Sequence, residues 1–555
     1  MTYAPTPEEF NASSDRMPAL IQRFTADQGN LDRLLTAPNT PYRQRRFSAF
    51  YEAWEACLNA LPFTELTSAD KIDWLLLKNY LSAEQLQLER EAKQREAMDP
   101  LLPRIQDLLL LEEERRRHHF SDPAEAAQRF ALATQEIERT QSQLKQDSSG
   151  VRATIANRAV HYLGQVRDVL EKWYQFRAGY DPLFTWWLES PWQAFEKTIA
   201  AYIDFLKKEV VGAENPQTII GDPIGREGLL EELERNQIPY TPEELLTIGD
   251  REREWCLAEM RGASQEMGCG DDWQMALERI KSAHVPPGEQ IVLVRDLAQE
   301  ASRYVTDNDL VTVPPLAQEC WRMEMMSPEM QNVNPFFLGG EEIIVSFPTN
   351  AMTQEQKRMS MRGNNPHFSR ATVQHELIPG HHLQMYSMDR HRPYRQIFYT
   401  PFWIEGWTLH WEMFLWDRGF PRTPEERIGM LFWRMHRCVR VRFSLGFHLG
   451  LYTPQECVDM LVEQVGHERD NASAEVRRSF GGDYDPLYQC AYLLGGLQVH
   501  ALHREVTVEK GWSDKRFHDA MLQANSMPIG LLRASLLEIP VSPEYRSDWR
   551  FYTDI

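Results

Sequence analysis

The sequence predicts a mainly α-helical protein on three observations. From Phe10 to about Val211 apolar residues recur at three- and four-residue spacing, as in Trp54, Cys57, Leu58 and Leu61, with few glycines between them. Strong helix starts punctuate the chain, Ser121-Asp-Pro-Ala-Glu125 and Thr241-Pro-Glu-Glu244 among them. The clearest strand signals are two short stretches, Thr312–Pro315 and Glu342–Phe347, where β-branched residues are flanked by Pro or Gly.

In chain order, residues 1–211 read as a helical N-terminal lobe. Within it Glu112–Arg117 is a run of opposite charges three residues apart, which reads as a solvated helix face. His118 has Glu114 and Asp122 four residues to either side but no third ligand and no base, so His118 and His119 read as surface residues. Ser121 or Asp122 caps the next helix, with Pro123 in its first turn. The aromatic segment Trp186–Trp192 reads as core packing. Glycine and proline cluster from Gly212 to Ile224, which marks a hinge and opens a second lobe, 212–555, with the two lobes packed as one unit. Helices should continue to about Asp307. The strand at Glu342–Phe347 implies a small sheet near the motif described below, either structural or offering an edge to an extended peptide.

Composition narrows the class. At 555 residues the chain has room for several domains or for one large helical enzyme body with two lobes. A hydrophobic fraction of 42% and a charged fraction of 25% are those of a soluble globular protein. No apolar run approaches the roughly 20 residues of a membrane span, so no membrane partner is expected. A formal charge of −21 disfavours nucleic acid, which needs a basic stripe. Met1–Phe10 has neither a basic nor an apolar segment of a signal peptide, and the seven cysteines are odd in number and widely spaced. Both features predict a cytoplasmic protein in a reducing compartment.

Chemistry concentrates in Val373–Gln384. His375, Glu376, Pro379, Gly380, His381 and His382 place three imidazoles and a carboxylate within eight residues. His375-Glu376 begins like the zinc motif H-E-x-x-H, in which histidines one helical turn apart hold the metal and the glutamate acts on a water. Here the fourth position is Pro379. At ~100° per residue an unbroken helix would turn His381 about 240° away from His375, so the helix must deform. Pro379 lacks an N–H and clashes with the carbonyl four residues back, and Gly380 tolerates the turn. A two-residue bulge would return His381 to join His375; His382 lies nearly two turns on, so His381 is the preferred ligand.

The third ligand is sought on the next helix, Trp403–Phe414. Trp403, Trp407, Trp411 and Phe414 make an apolar stripe, and Arg418-Gly-Phe-Pro421 supplies a stop. Glu405 and Glu412, seven residues apart, share another face. Two carboxylates beside aromatic packing are costly to bury without a cation or hydrogen bonds. Glu405 is assigned as ligand, with Glu412 orienting an imidazole and His382 in a supporting place. Glu376 is the general base. With a metal lowering the pKa of a bound water and polarising a scissile carbonyl, attack passes through a tetrahedral oxyanion, which needs donors. Candidates are His436, Arg437, Arg440 and His448 in one helical stretch, and Tyr484, Tyr488 and Tyr492. Of these, Tyr492 and His448 are taken as catalytic and Arg440 and Tyr488 as substrate-binding.

These residues resemble a known family. The pattern H-E-x-x-P-G-H-H of the bacterial domain-of-unknown-function 885 family is met by His375–His382. Its E-G-W-A-L-Y-x-E is approached by Glu405–Glu412, its R-x-x-x-D-x-G-L-H by Arg440–His448, and its P-G-Q-A-x-x-Y-K-I-G loosely by Pro486–Gly495. His410 stands where the family has tyrosine, Ser444 where it has aspartate, and Leu487 and Tyr488 where it has glycine and glutamine. The family in turn resembles helical zinc metallopeptidases such as thimet oligopeptidase and the thermostable carboxypeptidases. In those a glutamate about 25 residues after the last histidine completes the site; His381 and Glu405 are spaced accordingly. The resemblance implies a large two-lobed helical fold with a deep cleft.

The expected function is therefore a hydrolase that uses one Zn2+ on peptide or related amide bonds in short substrates. The competing expectation is a non-catalytic helical binding or scaffold protein with a structural metal or none. An intact Glu376 favours the first, because a structural site needs no base.

Overall fold

The computed structural model describes residues 16–213, 218–331, 337–482 and 484–552. The N-terminal stretch Met1–Phe10, residues Glu214–Gln217 of the expected hinge and Asp483 lie outside the described residues. The described chain is mainly helical with one small sheet, as expected. It divides into two compact units, Met1–Glu65 with Leu77–Asp222, and Leu66–Leu76 with Pro223–Ile555. Among the described residues no helix is long and apolar enough to cross a membrane.

The first unit is built on helices Pro123–Gln146, Ala153–Gln175 and Pro182–Phe205. The Phe130 ring lies 5.5, 5.6 and 5.1 Å from those of Trp173, Trp192 and Phe195 and centres their core. Asp122 caps the first of these helices through the N–H groups of Ala124 and Glu125, with Pro123 beside it, as the sequence predicts. His118 and His119 are exposed, also as expected. Two readings need correction. Trp186 and Trp187 are 71% and 40% exposed while Trp192 is buried, because at 3.6 residues per turn only Phe184, Leu188, Trp192 and Phe195 share the inward face. Glu112 and Glu113 are buried rather than solvated. Arg115 and Arg116 bind Glu112 at 2.6 and 2.8 Å, and the hydroxyls of Thr36 and Thr40 donate to Glu112 and Glu113 at 2.8 and 2.6 Å. Paired and hydrogen-bonded, both carboxylates can leave water.

In the second unit Leu66–Leu76 is anchored by Asp73, whose carboxylate accepts from Arg395 at 2.6 Å and from the Tyr394 hydroxyl at 2.9 Å. The capping box at Thr241 and Glu244 is present, and helices run on to Asp307. Thr312–Pro315 is not a strand. Its Thr312 N–H and hydroxyl donate to Asp519 at 2.8 and 2.7 Å, and Pro315 opens a helix, Pro315–Cys320. The partner strand is instead β1, Arg322–Met325, which pairs in parallel with β2, Glu342–Val345, the strand the sequence does predict. Leu338 exchanges backbone hydrogen bonds with Ile344 at 3.1 and 2.8 Å, so the chain itself occupies part of the β2 edge, in line with the structural one of the two alternatives. Ile343 and Val345 point inward onto Val373 and Leu377, which fixes the sheet beside the histidine motif.

Six helices of this unit position the site: α1 Pro366–Glu376, α2 His381–Met388, α3 Pro401–Asp417, α4 Pro424–His448, α5 Arg469–Phe480 and α6 Tyr488–Glu509. The expected aromatic stripe of α3 is there, but from Pro401 to Leu415 every residue is buried, as in a central core helix. Helix α6 crosses it closely at Gly406 and Gly495. A β-carbon at Gly406 would stand 2.8 Å from the Gly495 carbonyl carbon, so no other residue fits without separating the helices.

Candidate metal centre

Helix α1 starts at Asn365, whose side chain accepts from the N–H groups of His367 and Phe368, with Pro366 in the first turn. It ends at Glu376. The expectation of one bulged helix is sharpened into a full break: the chain leaves helical geometry at Leu377 (φ −108°, ψ −111°) and resumes at His381, after Gly380 (φ −76°, ψ −136°). Pro379 cannot continue the ladder, and Gly380 donates instead to the Gln374 carbonyl at 3.0 Å. The return is so tight that a β-carbon on Gly380 would overlap the His375 carbonyl. The Trp407 indole N–H holds the break against α3 by donating to the Pro379 carbonyl at 2.9 Å.

This break brings His381 to His375. Their rings are 5.0 Å apart and nearly perpendicular, and one ligand atom each from His375, Glu376 and His381 lies within 4.8 Å of the others. Glu405 of α3 faces both imidazoles. Its Oε2 is 3.5 Å from His375 Nε2 and 3.3 Å from His381 Nε2. A tetrahedral metal with bonds of about 2.0–2.2 Å separates its ligand atoms by about 3.3–3.6 Å, so these spacings match edges of such a site.

The hydrogen bonds around the three residues turn their lone pairs toward one another. His375 Nδ1 donates to Glu412 Oε1 at 2.8 Å and His381 Nδ1 to Gln384 Oε1 at 3.2 Å, which leaves both Nε2 atoms as lone-pair donors. Gln384 is held in turn by donating to the Trp403 and Ile404 carbonyls, each at 3.2 Å. Glu405 Oε1 accepts from the Tyr488 hydroxyl at 2.5 Å, whereas its buried Oε2 has no hydrogen-bond partner. A buried carboxylate oxygen in that position fits a cation. Burial pulls the His375 pKa down, but Glu405 and Glu412 reverse this and raise it to about 9, so that a cation binding at Nε2 displaces a proton held between His375 and Glu405. Burial raises the Glu405 pKa, but His381 and His375 hold it well below the carboxylate range. Burial lifts Glu376 above its ordinary value against the pull of His375 and His381, which strengthens it as a base.

These groups open onto a cavity of about 580 Å³, lined also by Tyr399, Trp433, Arg437, Arg440, Arg478, Tyr484, Tyr488 and Tyr492. The Tyr492 ring lies parallel to that of His375 at 6.1 Å. Burial, then Glu405, raises its pKa and keeps the hydroxyl protonated. Arg437 donates to Glu412 at 3.2 Å, and Arg440 to Glu475 of α5 at 2.8 Å.

The structure thus brings together His375, Glu376, His381, Glu405, Glu412, Arg440, Tyr488 and Tyr492. Two assigned residues stand elsewhere. His448 does not line the cavity; its Nδ1 accepts from the Ile224 N–H at 3.4 Å, its ring packs on Phe447 and Phe480, and burial lowers its pKa to about 4. His382 Nε2 donates to the Ala317 carbonyl at 2.8 Å, tying α2 to helix Pro315–Cys320 away from the ligands. The sequence reading missed Gln384, Glu475 and Arg478. Gln384 sits three residues after His381, a spacing that allows contact on a helix; Glu475 lacks any local signal beyond Arg478 three residues later.

Two solved structures share the fold. One, described as a "putative lipoprotein of unknown function" from Shewanella oneidensis, is 17% identical with a TM-score of 0.69, covering 95% of this chain and 100% of that one. The other, a "putative lipoprotein" from Colwellia psychrerythraea, is 14% identical with a TM-score of 0.60, covering 95% of this chain and 99% of that one. These descriptions overturn the expectation of a cytoplasmic protein: a short apolar-poor stretch and unpaired thiols do not encode a cellular address. No curated protein matches the chain. Residues 24–536 match the bacterial proteins of unknown function DUF885, and the chain belongs to that family.

Proposed function

We propose that the chain is a zinc-dependent hydrolase of peptide or related amide bonds in short substrates, metallopeptidase-like in its chemistry and fold. The observation that carries this reading is the buried Glu405 Oε2 held 3.5 and 3.3 Å from two imidazole Nε2 atoms, with Glu376 beside them on a cavity wall. His375, His381 and Glu405 would hold the ion. Zinc bound there would supply an acidified water and polarise the scissile carbonyl.

The remaining work falls to the chain's own residues. Glu376 takes the proton of the attacking water and passes it to the leaving amine. Glu412 and Gln384 keep His375 and His381 in the ligating tautomer. Tyr488 orients Glu405 so that Oε2 faces the histidines. Tyr492 points a protonated hydroxyl into the cavity as donor to the tetrahedral oxyanion, and Arg437 balances the Glu412 charge.

Metal analysis of the purified protein together with Glu376→Gln tests the proposal. One ion per chain, retained in the variant while hydrolysis of a mixed peptide library is lost, supports it. Unchanged hydrolysis in the variant would remove Glu376 from the mechanism, and absence of any chelator-sensitive cleavage would favour a scaffold with a structural metal.

A further inference from the structure

One wall of the cavity is built of arginines and tyrosines. Arg440 is 4% exposed, and Glu475 Oε1 takes its Nε and Nη2 at 2.8 and 2.7 Å. A guanidinium has five N–H donors, more than that one oxygen takes up. Arg437 lines the same wall, its Nη1 and Nη2 meeting the Trp433 carbonyl and Glu412. Tyr484 stands four residues before Tyr488, in the turn that leads into α6, with their rings 4.4 Å apart, and Tyr488 in turn stacks edgewise on Tyr492 at 5.8 Å. The tyrosines and arginines form one surface: the Arg440 guanidinium covers the Tyr492 ring at 4.3 Å, and that of Arg478 covers Tyr484 at 5.4 Å.

A buried surface of this composition selects an anion with planar, paired acceptors. Guanidinium and phenol hydroxyls meet a carboxylate through charge-assisted bonds, which gain strength in a site shielded from water. The local field agrees with this: burial and then Arg440 hold His436, next to Arg437, well below its ordinary pKa. Distance places the anion relative to the chemistry. Arg440 reaches His375 across a single ring, Tyr492, which puts its guanidinium within about 10 Å of the ligand imidazole, a span of two to three extended residues.

We infer that Arg440, Arg437 and Tyr484 receive the free carboxylate at the C-terminus of a short peptide, so that cleavage falls one or two residues before that end. The inference rests on the hydrolase reading above and narrows it to carboxy-terminal substrates. Neutral C-termini lose the charge-assisted bonds and leave the donors buried without a partner, and an internal stretch of a long chain has no main-chain carboxylate to present to this wall.

The test compares three short peptides of one core sequence with zinc-loaded wild-type protein: the free acid, its C-terminal amide, and an amide with glutamate as its last residue. The free acid should be cleaved with kcat/KM about 30-fold or more above the plain amide, from the loss of one to two charge-assisted bonds. Tyr484→Phe should raise KM for the acid by a larger factor than for the amide. Equal cleavage of acid and plain amide overturns the inference, as does cleavage of the glutamate amide at the rate of the acid, which would assign the wall to a side-chain carboxylate. Calorimetric binding of the N-acetylated acid and its amide to chelator-treated protein reads the wall without catalysis. Preference for the acid there, with no hydrolysis of any peptide, would sink the hydrolase reading and leave the carboxylate site standing; equal or absent binding of both overturns the site itself.

Discussion

His375 Nδ1 lies 2.8 Å from Glu412 Oε1, and the same oxygen receives Arg437 at 3.2 Å. Glu412 therefore fixes the tautomer that leaves His375 Nε2 facing Glu405. Glu412→Ala should weaken metal binding by about 10–100-fold, the usual cost of losing a carboxylate that supports a ligating histidine. Glu412→Gln, which keeps an acceptor, should recover part of it. Competition with a chromophoric chelator measures both, and equal affinity in all three proteins would contradict the assignment.

The neighbouring histidines should separate cleanly. His381→Ala removes a proposed ligand and should abolish stoichiometric metal binding. His382→Ala should retain one ion per chain and lose about 1 kcal/mol of stability, because it breaks the hydrogen bond to the Ala317 carbonyl and the contact with Cys320 Sγ but touches no proposed ligand. Elemental analysis beside thermal denaturation distinguishes them, and metal loss in His382→Ala would reverse the ligand choice.

The break between α1 and α2 depends on Gly380. In Gly380→Ala the new β-carbon collides with the His375 carbonyl, so the turn must open and carry His381 away from Glu405. The expected cost is about 3 kcal/mol or more, with metal binding weakened in parallel. A variant of wild-type melting temperature and metal content would show that the turn can relax at little cost.

In the first unit, burial raises the Glu112 pKa, but Arg115, Arg116 and Thr36 together bring it below the ordinary 4.5. A depressed folded-state pKa contributes stability above the unfolded value, and that contribution is lost as pH falls through the folded one. Glu112→Gln should therefore lower thermal stability near pH 7 by about 1.5–3 kcal/mol, and the gap should close as pH falls below the ordinary 4.5. A gap that is constant with pH would mean that the charge is not responsible.

Much of the candidate site was legible because its signals are local. Pro379 and Gly380 after His375 require a deformed backbone whatever surrounds them, and that deformation is the break that delivers His381. Local signals also misled. The Glu112–Arg117 run looks solvated by composition, yet Arg115 and Arg116 neutralise Glu112 well enough to bury it. Thr312-Val-Pro-Pro315 has the residues of a strand, but Asp519 supplies its donors with an acceptor from a helix 207 residues on.

By itself the sequence determined the helical class and the short-range chemistry, namely His375, Glu376 and His381 around a helix breaker and Glu405 and Glu412 on one helix face. Those depend on helical periodicity and on the covalent constraints of proline and glycine, which act over a turn or two. Only the tertiary structure decided which imidazole nitrogen meets Glu405, that Glu475 positions Arg440, that His448 lies outside the cavity, and that Asp73 reaches Arg395. Each of these joins residues far apart in the chain, and their pairing follows from which helices pack together, as where Gly406 meets Gly495, and not from any pattern within one helix.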